Sequence, residues 1–180
     1  PDGVASVEHR LRYRVVAGRF KSLAVTGIDP RAELVKDTVL VAEKGGEIPA
    51  HAEVDASAKE PGTVKLSFDE PKGIGRGSYA ISVTYKLDLV AAKILVRDGA
   101  MWRLAWPSPA GAEGRDGARV VFELPPAPTP PRLSSPEQAQ TTLATLRREA
   151  SKDELELVRA HVPRGEAAVW SARVDPKAFS

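Results

Sequence analysis

The feature that most constrains the fold is a strict alternation of apolar and polar residues between Ser78 and Leu89. Successive side chains of a strand point to opposite faces of a sheet, so this segment predicts a strand with one buried and one solvent-facing side. The buried side would carry Tyr79, Ile81, Val83, Tyr85, Leu87 and Leu89. Such a strand is typical of an antiparallel sheet, because strands of parallel sheets are buried on both faces.

The same alternation recurs along the chain and predicts about eleven short strands separated by turn signals. The clearest further examples are residues 5–15, 64–68, 102–106, 118–124 and 168–174, and weaker ones are 20–25, 38–42, 51–54, 91–96 and 154–161. Asp98-Gly99 stands between two such runs and predicts a hairpin turn. This spacing of strands and turns predicts an all-β chain, an antiparallel immunoglobulin-like β-sandwich.

One stretch interrupts the pattern, since residues 125–136 (PPAPTPPRLSSP) hold six prolines. We interpret it as an extended connection, in preference to a docking segment for a proline-reading module. It would separate a main sandwich (1–124) from C-terminal strands (137–180) packed on the same sandwich. The start Ser135-Pro136, with Gln138 following, predicts a short helical turn that passes into a strand near residues 142–148.

Residues 72–78, KGIGRGS, resemble a phosphate-binding loop in their three alternating glycines and two basic residues. Such loops are followed by the N-terminus of a helix, whereas the segment that follows here is the clearest strand of the chain. The glycine spacing fits neither the dinucleotide-binding fingerprint nor the P-loop fingerprint. We therefore predict that residues 71–77 form a hairpin connection whose glycines supply positive φ angles.

Composition excludes several classes of chemistry. The chain has no cysteine, so thiol catalysis, disulfides and zinc–thiolate sites are ruled out. The formal net charge is only +2, which indicates no nucleic-acid partner. His9, His51 and His161 have no metal-ligand spacing; His9 is expected to be buried or at a rim, and His161 exposed. We assign no catalytic, metal or cofactor residue and predict that the chain is not an enzyme.

Two sets of residues are candidates for ligand binding. Arg10, Arg12 and Arg14 share the polar face of the first strand, where they could meet an anionic surface, form a solvated face, or protect a sheet edge. Among the tryptophans, Trp102 and Trp170 fit core positions, whereas Trp106 precedes Pro107, which we expect to end the strand and leave the ring at a rim.

The order of segments resembles a known family. A first strand with a tyrosine (HRLRYRV) and a short apolar strand (RFKSLAVTGI) come before a glycine-rich turn into a strand with tyrosines (GSYAISVTYKL). A tryptophan segment (MWRLAWP), a strand ending in leucine-proline (ARVVFELPP) and a late strand (AAVWSARVDPKAF) follow. This resembles the extracytoplasmic N-terminal domain of the bacterial predicted membrane proteins catalogued as domain of unknown function 2207.

The resemblance implies a β-sandwich outside the cytoplasmic membrane, in a parent protein with a signal peptide and transmembrane segments, and it brings no catalytic residue. The chain would be a mature or excised segment. The leading hypothesis is a non-catalytic interaction or structural module that binds a protein partner at the cell envelope. The alternatives are a carbohydrate-binding module that uses Trp106, and a hydrolase with converging carboxylates or His9 in a cleft.

Overall fold

The computed structural model describes residues 3–35, 38–42, 46–55, 63–68, 73–111 and 114–179. Their contacts divide the chain into two compact units. The N-terminal unit is Val4–Asp88, and the C-terminal unit is Leu89–Ser180 together with Pro1–Gly3. Every strand pair in these described ranges is antiparallel, so the predicted all-β class is confirmed.

The N-terminal unit consists of one sheet. Its strands are β1 (Val4–Val15), β2 (Ser22–Thr26), β3 (Glu33–Leu34), β4 (Thr38–Ala42), β5 (Glu47–Asp55), β6 (Thr63–Phe68) and β7 (Gly77–Asp88). They lie in the order β1-β7-β4-β5-β6-β2, with β3 beside β7. A bridge between Phe20 and Ile74 joins the segment before β2 to the segment before β7.

The alternation in β1 and β7 determines which face of this sheet is buried. The two strands pair over their full length, and the register places Val7, Leu11 and Tyr13 of β1 opposite Tyr85, Ile81 and Tyr79 of β7. Tyr85 and Val83 are fully buried, while the intervening positions of β7 and the even positions of β1 contact solvent to varying degrees. The core of the unit also takes in Ile28, Val64 and Leu66.

The C-terminal unit contains two sheets. Its elements are β8 (Leu95–Asp98), β9 (Met101–Ser108), β10 (Arg115–Leu124), β11 (Arg132–Leu133), helix α1 (Pro136–Thr141), β12 (Leu143–Arg148), β13 (Asp153–Val162), β14 (Ala168–Val174) and a 3₁₀ turn (Pro176–Phe179). One sheet has the order β10-β13-β12 and the other β11-β14-β9-β8. Side chains of the two sheets meet where the Arg159 guanidinium lies 5.0 Å from the Trp170 ring centroid, a cation–π contact.

The division between the units differs from the predicted boundary after Leu124. Leu124 ends β10, and β10 pairs with β13, so residues on both sides of the proline-rich segment share a sheet. The segment itself is held inside the unit, because the Thr129 N–H donates to the Asp175 carboxylate at 3.0 Å and β11 pairs with β14. Proline excludes this segment from a central strand, but it does not make a domain boundary.

The predicted hairpin at residues 71–77 is wrong. Strands β6 and β7 lie in the same sheet but are separated by β4 and β5, so the residues between them do not form a hairpin, and residues 71–72 lie outside the described residues. Of the three glycines in the motif, only Gly73 has a positive φ, +70°. An added Cβ there would lie 2.5 Å from the Phe20 carbonyl oxygen, so this glycine permits the close backbone approach at the Phe20–Ile74 bridge.

Other local predictions have mixed outcomes. The Asp98-Gly99 hairpin and the succession of a short helix by a strand at 143–148 are confirmed. The predicted strand at 91–96 is wrong over most of its length, because a turn with Lys93 at φ +58° precedes β8. Pro107 does not end β9, which continues to Ser108; it lies beyond the end of β8, where its missing N–H breaks no pairing on that side.

Two further turn signals of the sequence, Gly45-Gly46 and Pro61-Gly62, and the neighbouring carboxylates Asp69 and Glu70 lie wholly or partly outside the described residues. In the part of the chain that the structure describes, no helix is long and apolar enough to cross a membrane.

Candidate functional site

Strand β12 is an exposed edge strand. All six of its residues are exposed, and Leu143 retains 76% of its accessible surface. It pairs with β13 on one side, and no strand of the described ranges pairs with its other side. An open edge of this kind presents backbone N–H and C=O groups that can pair with another chain.

The register shows which backbone groups face the open side. The Glu149 N–H donates to the Lys152 carbonyl at 2.9 Å, which makes that pair a hydrogen-bonded one. Hydrogen-bonded and non-hydrogen-bonded pairs alternate along an antiparallel ladder, so Ala144 and Leu146 belong to the second type. Their N–H and C=O groups therefore point away from β13, toward the open edge.

The sequence before β12 explains why the strand begins where it does. The Ser135 hydroxyl accepts a hydrogen bond from the Gln138 N–H at 3.3 Å and caps α1, and Pro136 occupies the first turn. Thr142 has extended backbone angles and ends the helix after six residues. Its buried hydroxyl accepts a hydrogen bond from Arg159 Nε at 3.1 Å, which fixes the start of the strand against β13.

A groove of about 510 Å³ lies beside the open edge. One wall is formed by Ala144 and Leu146 of β12 with Leu155 of β13, and the opposite side by β11, its flanking residues and α1. Its lining residues are Pro131, Arg132, Leu133, Ser134, Ser135, Ala139, Ala144, Leu146, Leu155 and Arg173. Leu146 is 38% exposed although it shares a sheet face with buried Leu155, because nothing among the described residues covers β12 on this side.

Polar contacts hold the β12 side of the groove. Asp153, 1% exposed, accepts hydrogen bonds from Arg148 Nε at 2.7 Å and from its terminal nitrogen at 3.1 Å. The same guanidinium donates to the Ala127 carbonyl at 2.5 Å. A bidentate pair with a further backbone acceptor fixes the end of β12 to the proline-rich segment.

The other side is held by α1. With its amide oriented to match its partners, the Gln138 side chain donates to the Ser171 carbonyl at 2.9 Å and accepts from the Ser171 N–H at 2.8 Å. It thereby continues the pairing of β14 where β11 ends. The Ser171 hydroxyl also donates to the Ser134 hydroxyl at 2.6 Å. Both walls are therefore preformed.

A row of three arginines crosses the sheet that forms the β11 side. Arg132 of β11 lies opposite Arg173 of β14, and Arg173 lies opposite Arg103 of β9. Asp98 is bound to Arg173 at 3.2 Å, while no ion pair is found for Arg132 or Arg103 among the described residues. The Nε atom of Arg173 is buried and has no acceptor in the same part of the chain. Of the three, Arg132 and Arg173 line the groove, so this side of the groove carries positive charge.

The predicted residues Arg10, Arg12 and Arg14 lie together on the exposed face of β1, an edge strand of the N-terminal unit. Arg10 forms an ion pair with Glu8 at 2.8 Å. Three charges on an exposed edge fit the interpretation that they protect it against strand addition.

Trp106 lies in the other unit, and the structure does not bring it together with those arginines in one site. It is half-buried and lies directly opposite Trp170, which is 2% exposed. The two rings share the inner face of the sheet with Leu104 and Ala172. Trp102 is also half-buried and packs edge-on against Phe179, with ring centroids 6.4 Å apart.

The three histidines lie on three different strands, β1, β5 and β13. His9 is half-buried, its Nε2 lies 3.0 Å from the Tyr85 hydroxyl, and burial lowers its pKa. His161 is exposed beside Asp116 at 2.6 Å, and His51 beside Glu53 at 3.1 Å. Within the described ranges, no group of three or more histidine, aspartate and glutamate side chains could hold a metal ion.

The chain matches no protein-family model, no curated protein and no solved structure. The functional interpretation of the site therefore depends on its geometry alone. Sequence reasoning predicted β12 but missed its open edge and the groove, since both depend on which strands become neighbours. The one available signal was LATLRR, a strand with exposed leucines and no strict alternation.

Proposed function

We propose that the chain is a non-catalytic interaction module of a bacterial cell-envelope protein, which binds a protein partner by accepting an extended segment at the open edge of β12. The observation that carries the proposal is that β12 is exposed along all six residues and paired on one side. Extended segments bind to such edges because backbone hydrogen bonds supply affinity and neighbouring pockets supply specificity.

The groove supports this function. An added strand would direct alternate side chains toward Ala144 and Leu146 and would cover apolar surface that is exposed in the chain alone. The walls are held by the Arg148–Asp153 pair and by Gln138, so little ordering is needed when a segment binds.

Location and finer fold belong to the same proposal. The resemblance to the domain of unknown function 2207 family supports an extracytoplasmic domain of a membrane-anchored protein, and the two sheets of the C-terminal unit suit an immunoglobulin-like sandwich. The two other candidate functions have less support. A carbohydrate platform requires an exposed ring, and Trp106 is half-buried; a hydrolase requires polar groups that converge on His9, which lies beside Tyr85.

A selection experiment tests the proposal. A phage-displayed library of random nonapeptides would be selected on the full chain, and the affinity of the selected peptides for the full chain and for the Ala144→Pro variant would then be measured. Proline removes the outward-facing N–H of Ala144 and is tolerated at a strand edge, so the fold is expected to persist. We expect selected peptides to bind the original chain and to lose at least about tenfold in affinity for the variant, because one or more backbone hydrogen bonds are lost.

Thr145→Ala is the matched control, since its backbone groups face β13 and its side chain lies on the opposite face. It should bind the peptides as the original chain does. Peptides that bind Ala144→Pro equally well, or a selection that yields none, would exclude strand addition at β12. Circular dichroism of each variant would establish that it is folded.

A further inference from the structure

We infer that the segment bound at β12 carries a carboxylate side chain beside its apolar residues, and that Arg132 binds that carboxylate. This inference rests on the proposed function and gives the partner its chemistry: an extended, acidic and apolar peptide. Three features of the groove lead to it, namely its apolar lining, its unequal charge and the position of its arginines.

The apolar lining requires apolar side chains in the partner. Leu146 and Leu155 form one wall and Leu133 and Ala139 the other, and β-branched or leucine side chains suit a space of this kind. In a bound strand these side chains would occupy alternate positions, because only every second residue faces the groove.

The charge of the lining requires an acid. The described side chains that line the groove include two arginines and no carboxylate. Arginine presents a planar fork of donors that matches a carboxylate, and Arg132 is exposed at the outer edge of its sheet.

The row of three arginines is a second reason to expect a carboxylate in the bound segment. Like charges directly opposite each other in a sheet are destabilising, and Arg132, Arg173 and Arg103 face one another across two successive strand pairs. Asp98 compensates Arg173 only. A carboxylate at Arg132 would relieve the repulsion that remains, so a segment with an acid gains affinity that a neutral one does not.

The nearby arginines of β12 do not supply the same attraction. Arg147 is bound to Glu154 at 3.1 Å on the opposite face, and Arg148 is bound to Asp153. The acid is therefore expected on the groove side of the bound segment, in phase with its apolar residues, and toward Arg132.

Three immobilised heptapeptides test the inference: Glu-Thr-Val-Thr-Leu-Thr-Glu, and the same sequence with glutamine or lysine at both ends. The apolar and terminal residues share one face, and placing the varied residue at both ends covers either strand direction. Binding of the full chain would be measured by biolayer interferometry. We expect the glutamate peptide to bind at least about tenfold more tightly than the glutamine peptide, and the lysine peptide most weakly.

Variants assign the effect to a residue. Arg132→Gln should reduce the affinity for the glutamate peptide to that for the glutamine peptide, which itself should be unchanged. Arg147→Gln is the matched control, since it removes an equal charge from the opposite face and should leave the difference between the peptides in place. Raising the salt concentration should reduce the advantage of the glutamate peptide.

The outcomes separate the two proposals. Equal affinities for the glutamate and glutamine peptides, or a preference for lysine, would overturn the acidic partner while leaving strand addition intact. If none of the three binds while selected nonapeptides do, the acidic heptapeptide chemistry is wrong; if neither kind binds, both proposals fail. Dimerisation of the chain that Ala144→Pro abolishes would make a second copy the occupant and would also overturn the acidic peptide.

Discussion

The contact between His9 and Tyr85 shows which properties of a single residue can be predicted from the sequence and which cannot. The alternation in β1 placed His9 on the apolar face, and the structure confirms that it is at least half-buried. Its neighbour Tyr85 is 76 residues away in the chain, and their rings lie 5.5 Å apart because the register of β1 and β7 makes them diagonal neighbours, with His9 opposite Val83 and Tyr85 opposite Val7. Burial also raises the pKa of Tyr85 above its ordinary value near 10, so its hydroxyl stays protonated to a higher pH than an exposed tyrosine does.

The lowered pKa of His9 predicts a pH dependence for the stability of the N-terminal unit. The unfolded chain, with an ordinary histidine pKa near 6.5, binds more protons than the folded unit once the pH falls below that value. Stability is therefore retained above pH 6.5 and declines as the pH falls toward the lower pKa of the folded state. Hydrogen exchange of residues 77–88 at several pH values, monitored by mass spectrometry, would measure the decline.

His9→Gln should make that decline shallower between about pH 7 and about pH 5, because the group that must take up a proton against burial is gone. His51→Gln is the control, since His51 lies on the same sheet but is exposed, and it should leave the decline unchanged. An equally steep decline in His9→Gln would show that another group is responsible.

At the level of elements, local patterns predicted strands well and neighbours poorly. Alternation located β1, β7 and β13, and the capping serine and following proline located α1, because these signals act within a few residues. Sheet order is set by contacts between distant segments, so the separation of β6 from β7 and the open edge of β12 could not be read from the chain. The candidate site depends on a local signal for the strand β12 and on the sheet order for its open edge and groove. Only the strand was predictable from the sequence.

Gly73 gives a prediction at the level of this connection. Gly73→Ala should destabilise the N-terminal unit by roughly 2–3 kcal/mol, because alanine is strained at positive φ and its Cβ would clash with the Phe20 backbone. Gly18→Ala is the matched control in the same unit: it also has a positive φ, but no atom lies within 4 Å of the added Cβ. It should cost only about 1 kcal/mol.

Urea unfolding followed by hydrogen exchange of residues 77–88 would compare the two glycine variants. Equal destabilisation would mean that backbone strain alone accounts for Gly73, and that the close approach at the Phe20–Ile74 bridge has no energetic weight. Both explanations are structural and require no bound phosphate, since the motif that contains Gly73 leads into a strand.

At the level of the whole molecule, the boundary between the units was the least predictable feature. Proline-rich composition marks an extended segment, but it does not say whether the strands on either side of it pair with each other. Here they do, through β10 and β13, while the break falls between Asp88 and Leu89 in the middle of an apolar run. An apolar run predicts burial, and burial alone does not distinguish the interior of one unit from the join between two.

The two units should respond separately to loss of core packing. Leu66 in the N-terminal unit and Leu157 in the C-terminal unit are both fully buried, so truncation of either to alanine should cost its own unit roughly 2–5 kcal/mol. All three tryptophans belong to the C-terminal unit, so their fluorescence in urea reports that unit, whereas hydrogen exchange of residues 77–88 reports the other. We expect Leu157→Ala to move the fluorescence transition and Leu66→Ala to move the exchange. If each substitution moved both signals equally, the chain would unfold as one cooperative body and the division at Asp88 would have no thermodynamic meaning.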